Sequence, residues 1–256
     1  MSGGRRSPAA PRVLIDPTQA WGSVVTLDDP AQVHHLLHVL RVQPGQPVRC
    51  FDGAGTECHG ILRTASSRTA VIDIERVTHE SDAGCHVWLV QSLIKHDRFE
   101  WSLEKATELG VARISPVVTT RTVVRPPAGR ADARASRWLR ILQAAAKQCG
   151  RATVPRLDPI SPLNDLLPTL RPVSLVLIPT LETTTSLSLS KAVAAHGRAK
   201  DVAVLIGPEG DFTRDEVARA ERYGARPVSL GRLTLRAETA AIAVLALLAL
   251  QHAAHS

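Results

Sequence analysis

Two loops in the last quarter of the chain carry residue types suited to ligand binding and charge chemistry. The first is Leu205-Ile206-Gly207-Pro208-Glu209-Gly210-Asp211-Phe212. It follows an apolar run and precedes Thr213, which with Glu216 forms a capping box for the next helix. Ligands of open α/β sheets bind beyond the carboxyl ends of strands. Gly207 and Gly210 permit close backbone approach, Pro208 stiffens the turn, and Glu209 offers a carboxylate. A tight strand-to-helix connection would use the same residues. The loop is not a phosphate loop, because the Gly-Lys-Ser/Thr ending is missing, nor is it a dinucleotide Gly-x-Gly-x-x-Gly. The second loop, Leu230 to Ala240, leads into an apolar helix with Arg236 and Glu238 flanking its start. Buried charge is costly unless paired. The two are therefore either a structural ion pair or a functional one.

The elements that must position these loops fall into two halves. From about Val13 to His79 the pattern is short strands and turns, with a short helix over Val33–Val39. Val48 to Phe51 ends in the turn Asp52-Gly53-Ala54-Gly55, and Thr56 to Thr64 is the return strand. In Thr69–Val77, Ile72 and Ile74 alternate with Asp73 and Glu75, as a half-buried strand requires. This half is a small β barrel or sandwich, and Glu80–Gly84 is a polar linker. The second half alternates strands and helices. Strands are expected at Val87–Leu93, Ile114–Val118, Leu175–Ile178, Val202–Ile206 and Pro227–Leu230. Helices are expected from Asp97, boxed with Glu100, to Leu109 with Gly110 beyond it; from Asp132 to Cys149; and from Arg214 to Tyr223, stopped by Gly224. That alternation predicts a parallel α/β domain. The expected divisions are a flexible arm (residues 1–12), a β domain (13–80) and an α/β domain (84–256).

The chain has 256 residues, enough to bury a core without disulfides or metals. Eight aromatic residues leave little scope for base stacking. A net charge of +7 favours an anionic partner, nucleic acid first. The excess is local. Between Arg121 and Arg156 lie nine basic residues (Arg121, Arg125, Arg130, Arg134, Arg137, Arg140, Lys147, Arg151, Arg156) and one acid, Asp132. Trp138, Ile141, Leu142, Ala145 and Cys149 form the inward stripe of the helix that carries most of them. The opposite face is either solvated or a phosphate-backbone footprint, for which arginine is suited. Cys50, Cys58, Cys85 and Cys149 form no CxxC pair, which argues for a reducing compartment. The start lacks the apolar stretch of a signal peptide, and the longest apolar run, Ala240–Leu250, is too short to span a membrane. A cytosolic protein is expected.

Together the two loops resemble the signature of the SPOUT methyltransferases, and the chain is most similar to the RsmE family of 16S ribosomal RNA uridine N3-methyltransferases. Supporting stretches run in family order: His34 to Arg41, Pro44-Gly45, Phe51-Asp52-Gly53, Lys95 to Glu100, Lys105 to Val111, Gln148 to Arg151 and Val154-Pro155. The resemblance implies a trefoil-knotted α/β methyltransferase domain behind a PUA-like β-barrel, S-adenosylmethionine as methyl donor, and a homodimer. The target it implies is one uridine near the 3′ end of 16S ribosomal RNA, in the decoding region of the 30S subunit. Carried over by position, the donor site comprises Pro179, Thr180, Glu182, Ile206, Gly207, Pro208, Glu209, Gly210, Leu230, Gly231, Leu235, Arg236 and Thr239. The RNA side takes Arg41, Lys95, Arg98, Arg121, Arg134, Arg137, Arg140, Lys147 and Arg151. The family usually has a second glycine where this chain has Asp211, and Arg232 stands a place or two early.

Methylating uridine N3 requires removal of its proton and in-line alignment of donor and acceptor. Arg236 is expected to stabilise the N3/O4 anion, with Glu238 orienting it, and Glu209 to act as base, loop-orienting group or helix cap. His34, His35 and His38 lack a carboxylate pattern for a metal, and no metal is expected. A non-catalytic ribosome-assembly factor would keep the β domain and basic helix without an intact donor loop. A SPOUT ribose 2′-O-methyltransferase would share the knot but lack the Lys95–Glu100 and Gln148–Arg151 motifs.

Overall fold

The computed structural model describes residues 10–16, 22–80, 85–124, 131–182, 187–197 and 199–253. The chain divides into two compact units, Met1–Asp82 with Ala146–Val154, and Ala83–Ala145 with Pro155–Ser256.

The first unit contains β1 (Arg12–Leu14), β2 (Val24–Leu27), α1 (Pro30–His34), β3 (Pro47–Phe51), β4 (Thr56–Ala65) and β5 (Ala70–His79). They form a sheet in the order β1-β3-β4-β5-β2, parallel at β1/β3 and antiparallel elsewhere. Alternation turns Val48, Cys50, Cys58, Leu62 and Ile72 into one core, which Val33 and Leu36 enter from the helical segment. The Asp52–Gly55 turn closes on itself: the Asp52 carboxylate accepts from the Ala54 and Thr56 amides at 2.7 and 3.0 Å. The helix begins earlier than expected. Asp29 caps the Ala31 and Gln32 amides, Pro30 occupies the first turn, and His35–Val39 continues as a π-helical turn.

Of the expected arm, residues 1–9 lie outside the described residues, but Arg12 does not belong to it. Arg12 opens β1 and is 8% exposed. Its guanidinium donates to Glu57 at 2.6 Å and to the carbonyls of Ala146, Lys147 and Arg151. A cation is buried only with such partners. Burial pushes the Glu57 carboxyl up, but hydrogen bonds from Arg49 and Arg12 outweigh it and hold the group below the usual carboxylate range. Of the expected linker, residues 81–84 lie outside the described residues; Glu80 accepts from the Ala152 amide at 3.1 Å.

The second unit contains β6 (His86–Ser92), α2 (His96–Glu108), β7 (Arg113–Val118), α3 (Ala131–Cys149, whose last turn belongs to the first unit), β8 (Arg156–Leu157), β9 (Ser161–Pro162), α4 (Leu163–Leu166), β10 (Leu175–Pro179), β11 (Leu187–Ser188), α5 (Leu189–His196), β12 (Asp201–Ile206), α6 (Arg214–Arg222), β13 (Ala225–Ser229) and α7 (Ala237–Ala253). Among the described residues the sheet runs β11-β13-β10-β12-β6-β7-β8, with β9 also on β7, and every pairing is parallel. The strands are nearly continuous apolar runs, as burial on both faces requires. The chain fills one side of β6 first, then returns to lay down β10, β12 and β13 on the other. The exits of those three strands thus share one end of the sheet.

Local signals set most helix ends. Thr213 and Glu216 form the expected box on α6, and Gly110 and Gly224, both at positive φ, follow α2 and α6. The box expected at Asp97 does not form. α2 starts at His96, its N-cap Lys95 has no side-chain cap, and Glu100 instead pairs with Arg137 at 2.6 Å. On α3, Trp138, Leu142, Ala145 and Ala146 are buried, whereas Ile141 is half-buried and Cys149 exposed. Strand β13 begins two residues earlier than expected and ends one earlier, at Ser229.

At Gly60 in β4 the ladder register shifts, and a Cβ would stand 2.2 Å from the Asp73 carbonyl oxygen. Gly60→Ala should cost the first unit about 1–3 kcal/mol through forced backbone displacement. Urea unfolding should show a lower midpoint with an unchanged slope.

Candidate active site

The segments leaving β10, β12 and β13, with the first turn of α7, enclose a cavity of about 250 Å³. That is near the lower end of small-ligand sites, roughly 300–1,000 Å³. Its walls are mostly apolar, from Pro179, Ile206, Val228, Leu230, Leu235 and Ala240, and polar groups come from Thr180, Glu209, Asp211, Ser229 and Arg236. Gly207 sits in tight space: a Cβ would stand 3.1 Å from the Phe212 nitrogen, where the loop folds back on itself, so a side chain there would have to push the loop. Gly231 sits at φ +118°, which side chains rarely adopt.

Three polar anchors hold the loops. Nη1 of Arg121 donates to Glu182 at 2.7 Å and to the carbonyls of Gly210 and Phe212 at 2.8 and 3.0 Å, tying the β10 exit to the β12 exit. The hydrogen bond from Arg121 holds the Glu182 carboxyl below its ordinary range. Asp211, at φ +60°, accepts from Thr180 Oγ1, the Leu181 amide and the Phe212 amide at 2.9, 2.7 and 2.7 Å. Glu216 closes its box and also accepts from the Thr120 amide and hydroxyl at 2.8 and 3.0 Å, which fixes the segment carrying Arg121. Burial would raise the Glu216 carboxyl, but the amide hydrogen bonds from Thr213 and Thr120 more than reverse this.

Of the residues expected at a donor site, Pro179, Thr180, Ile206, Gly207, Pro208, Glu209, Leu230, Gly231, Leu235 and Arg236 line this cavity. Three do not. Glu182 is an anchor for Arg121; Gly210 lies under the Arg121 side chain; and Thr239 is exposed one helix position from the lining Ala240. Leu181, Val228, Ser229, Leu233, Thr234, Ala237 and Ala240 also line the cavity without having been expected there, as does Asp211, whose negative charge in place of glycine was expected to alter the loop or favour the cationic side of the donor. The Asp211 signal was its departure from glycine in a loop that needs positive φ.

The expected Arg236–Glu238 pair is not made. Glu238 is 8% exposed and faces Arg98, Oε1 to Nε 3.7 Å, because the first turns of α2 and α7 lie together. Arg236 is exposed at the cavity rim. Glu209 is exposed, and its carboxylate accepts from the Lys95 amide at 3.5 Å, so it meets the uncapped start of α2 across 114 positions of sequence.

The basic residues part company. Arg121 is an anchor, Arg98 pairs with Glu238, and Arg137 pairs with Glu100. Lys147 and Arg151 are half-buried in the first unit rather than on a solvated face; Lys147 donates to Gln32 at 3.4 Å and Arg151 to Thr153 at 2.8 Å. Arg140 and Arg41 are exposed, and Arg134 is half-exposed with its guanidinium 5.8 Å from the Trp138 ring. Arg125 and Arg130 lie outside the described residues.

A family model described as an RNA methyltransferase domain matches residues 81–249, and one described as an RNA methyltransferase PUA domain matches residues 27–75. Ribosomal RNA small subunit methyltransferase E of Synechocystis sp. is 31% identical over 92% of this chain and 76% of its own length. The Bacillus subtilis protein of the same name is 27% identical over 86% of this chain and 88% of its own. A crystal structure of ribosomal RNA small subunit methyltransferase E from Neisseria gonorrhoeae, bound to S-adenosyl methionine, is 32% identical with a TM-score of 0.83, covering 94% of this chain and 98% of that one. A parallel α/β unit with this cavity, in one chain with a PUA domain, defines an RNA methyltransferase. The chain belongs to the ribosomal RNA small subunit methyltransferase E family.

Burial pushes the Lys147 amine down from 10.5 to about 8. Between those values the unfolded chain holds a proton that the folded chain has released, so stability rises with pH across the window. Lys147→Met removes this component. Its thermal midpoint should rise less than the wild type's between pH 8 and 10, by about 2–4 °C for each kcal/mol removed. Equal rises would mean that the amine is solvated.

Proposed function

We propose that this chain transfers a methyl group from S-adenosylmethionine to N3 of one uridine in 16S ribosomal RNA. The observation that carries the reading is the cavity at the β10, β12 and β13 exits, with Arg236 at its rim and no acidic partner for that arginine among the described residues. The donor suits the residues present. Leu230, Leu235, Val228 and Ala240 match a purine ring; Gly207 and Gly231 leave backbone bare; and the exposed carboxylate of Glu209 favours a cationic ligand. When bound, the donor supplies an electrophilic methyl group.

The remaining work falls to the chain's own residues. Uridine N3 must give up its proton to solvent before it attacks the methyl carbon, whose bond to the donor sulfur breaks as the bond to N3 forms. Arg236 stabilises the anion that then spreads over N3 and O4. Glu209 orients the loop through the Lys95 amide, and Glu238 fixes the start of α7 through Arg98. N3 lies on the Watson–Crick edge, so the base is read unpaired or flipped out. Arg41, Lys95, Arg134 and Arg140 contact the flanking phosphates. Residues 13–80 act as the RNA-holding domain and 84–256 as the methyltransferase domain. The same reading includes the trefoil knot, a homodimer sharing the RNA site, assembled 30S particles as substrate and a cytoplasmic setting. No described helix is long and apolar enough to cross a membrane.

The test is transfer from labelled S-adenosylmethionine to 30S particles lacking the modification, with nucleoside analysis; labelled 3-methyluridine is expected. Transfer to another atom would refute the N3 assignment, and absence of donor binding would leave a non-catalytic assembly factor. Arg236→Ala should lower the single-turnover rate about 10²–10³-fold, the range seen for loss of one oxyanion donor. Full single-turnover activity in that variant would exclude the role given to Arg236. Reversing Arg134 and Arg140 to Glu should weaken RNA binding and leave the donor dissociation constant unchanged; equal loss of both would indicate misfolding.

A further inference from the structure

We propose that Asp211 is a positioning residue, a latch that holds the β10 exit against the β12 exit and so shapes the cavity before the donor arrives. The proposal rests on the reading of that cavity as the donor site.

Asp211 stands at φ +60°, one of two non-glycine residues at positive φ among the described residues. Glycine adopts that conformation without steric cost, and aspartate does not. The side chain therefore occupies a position where the backbone alone would favour its absence. Its contacts supply the reason. Oδ2 accepts from the Thr180 hydroxyl and the Leu181 amide, both on the segment leaving β10. Oδ1 accepts from the Phe212 amide, on the segment leaving β12. The Asp211 amide donates to Pro208 O at 3.0 Å, so the carboxylate is fixed to a tight turn and not to a swinging loop. Thr180, Leu181 and Asp211 all line the cavity. Arg121 ties the same two segments from a different side, through Glu182 and the carbonyls of Gly210 and Phe212. Without Asp211 that outer tie remains but the wall formed by Thr180 and Leu181 loses its fixed distance from Gly207. Ordering that wall on binding would then come out of the donor's affinity.

The test compares Asp211→Gly, which relieves the backbone and deletes the latch, with Asp211→Asn, which is isosteric and keeps one oxygen for Thr180 and Leu181. In ligand-free protein, amide exchange at Leu181 and Phe212 should quicken at least about 10-fold in the Gly variant, with exchange in β4 unchanged. By calorimetry the S-adenosylmethionine dissociation constant should rise about 10-fold in the Gly variant and less in the Asn variant. The kinetic loss should fall on KM for the donor and not on kcat, as for an interaction lost equally from ground and transition states. Unchanged exchange at Leu181, or donor affinity within twofold of wild type in Asp211→Gly, would overturn the latch while leaving the donor site standing. An Asn variant as weak as the Gly variant would overturn it in favour of a direct charge effect on the donor. Wild-type protein that fails to bind S-adenosylmethionine would overturn the cavity reading, and the latch's purpose with it.

Discussion

One nitrogen of Arg121 lies within hydrogen-bonding distance of a carboxylate on the segment after β10 and of two carbonyls on the segment after β12. The cavity depends on such ties. In a parallel sheet the strand exits are stretches of backbone with no ladder partners, and each unpaired N–H or C=O must find one. Charge-assisted hydrogen bonds to a fixed side chain meet that need more strongly than neutral ones. Arg121 is itself placed by Glu216, which accepts from Thr120 next to it while capping α6. The helix start, the β7 exit and the cavity wall are thus one connected polar structure, resting on the apolar sheet beneath.

That connectivity explains which features could be read from the sequence. The α6 box was legible because both partners lie within four residues. The α2 start was not, because Glu209 reaches it from 114 positions away, and Asp97-x-x-Glu100 offered a local solution that the fold does not use. Glu100 is taken by Arg137 from another helix, which no local pattern reports. The strands of the sheet interior were legible as apolar runs, whereas β8, β9 and β11, of two residues each, carry no periodicity at all. Part of the cavity lining was legible, because glycines and a proline at strand exits mark it directly and the resemblance added Pro179, Thr180, Leu230, Leu235 and Arg236; Leu181, Val228, Ser229, Leu233 and Thr234 carry no such mark. Asp211 was visible as a departure, but its partners on the β10 exit were not.

The charge count shows the same division. Nine basic residues against one acid described the segment from Arg121 to Arg156 correctly as composition and misleadingly as a surface. Where a cation goes depends on acids and carbonyls contributed by other elements. Glu100 and Glu182 neutralise two of the arginines, and the turn of α3 that carries Lys147 belongs to the first unit. Among the described residues Arg134 and Arg140 have no acidic partner, and they stand six residues apart on α3. The salt dependence of RNA binding follows the phosphates actually neutralised. On the proposed reading it is set by such residues and not by the net charge.

The partition of Arg98, Arg236 and Glu238 bears on the chemistry in the same way. An acid and a base two positions apart at a helix start invite pairing, and with Glu238 on Arg236 the rim would hold a neutralised cation. At about 4 Å and an effective dielectric near 20, such a pair attracts by about 4 kcal/mol before desolvation. A developing anion on the substrate would have to compete with it. Arg98, projecting from α2, faces Glu238 instead, 3.7 Å from Oε1, while the buried Oε2 has no hydrogen-bond partner among the described residues. The acid can then be buried at the foot of α7 while the charge of Arg236 stays uncompensated at the rim. If Arg236 plays the role proposed for it, its preorganisation depends on Glu238 finding its partner on another element, because neighbours on one helix turn would otherwise pair with each other.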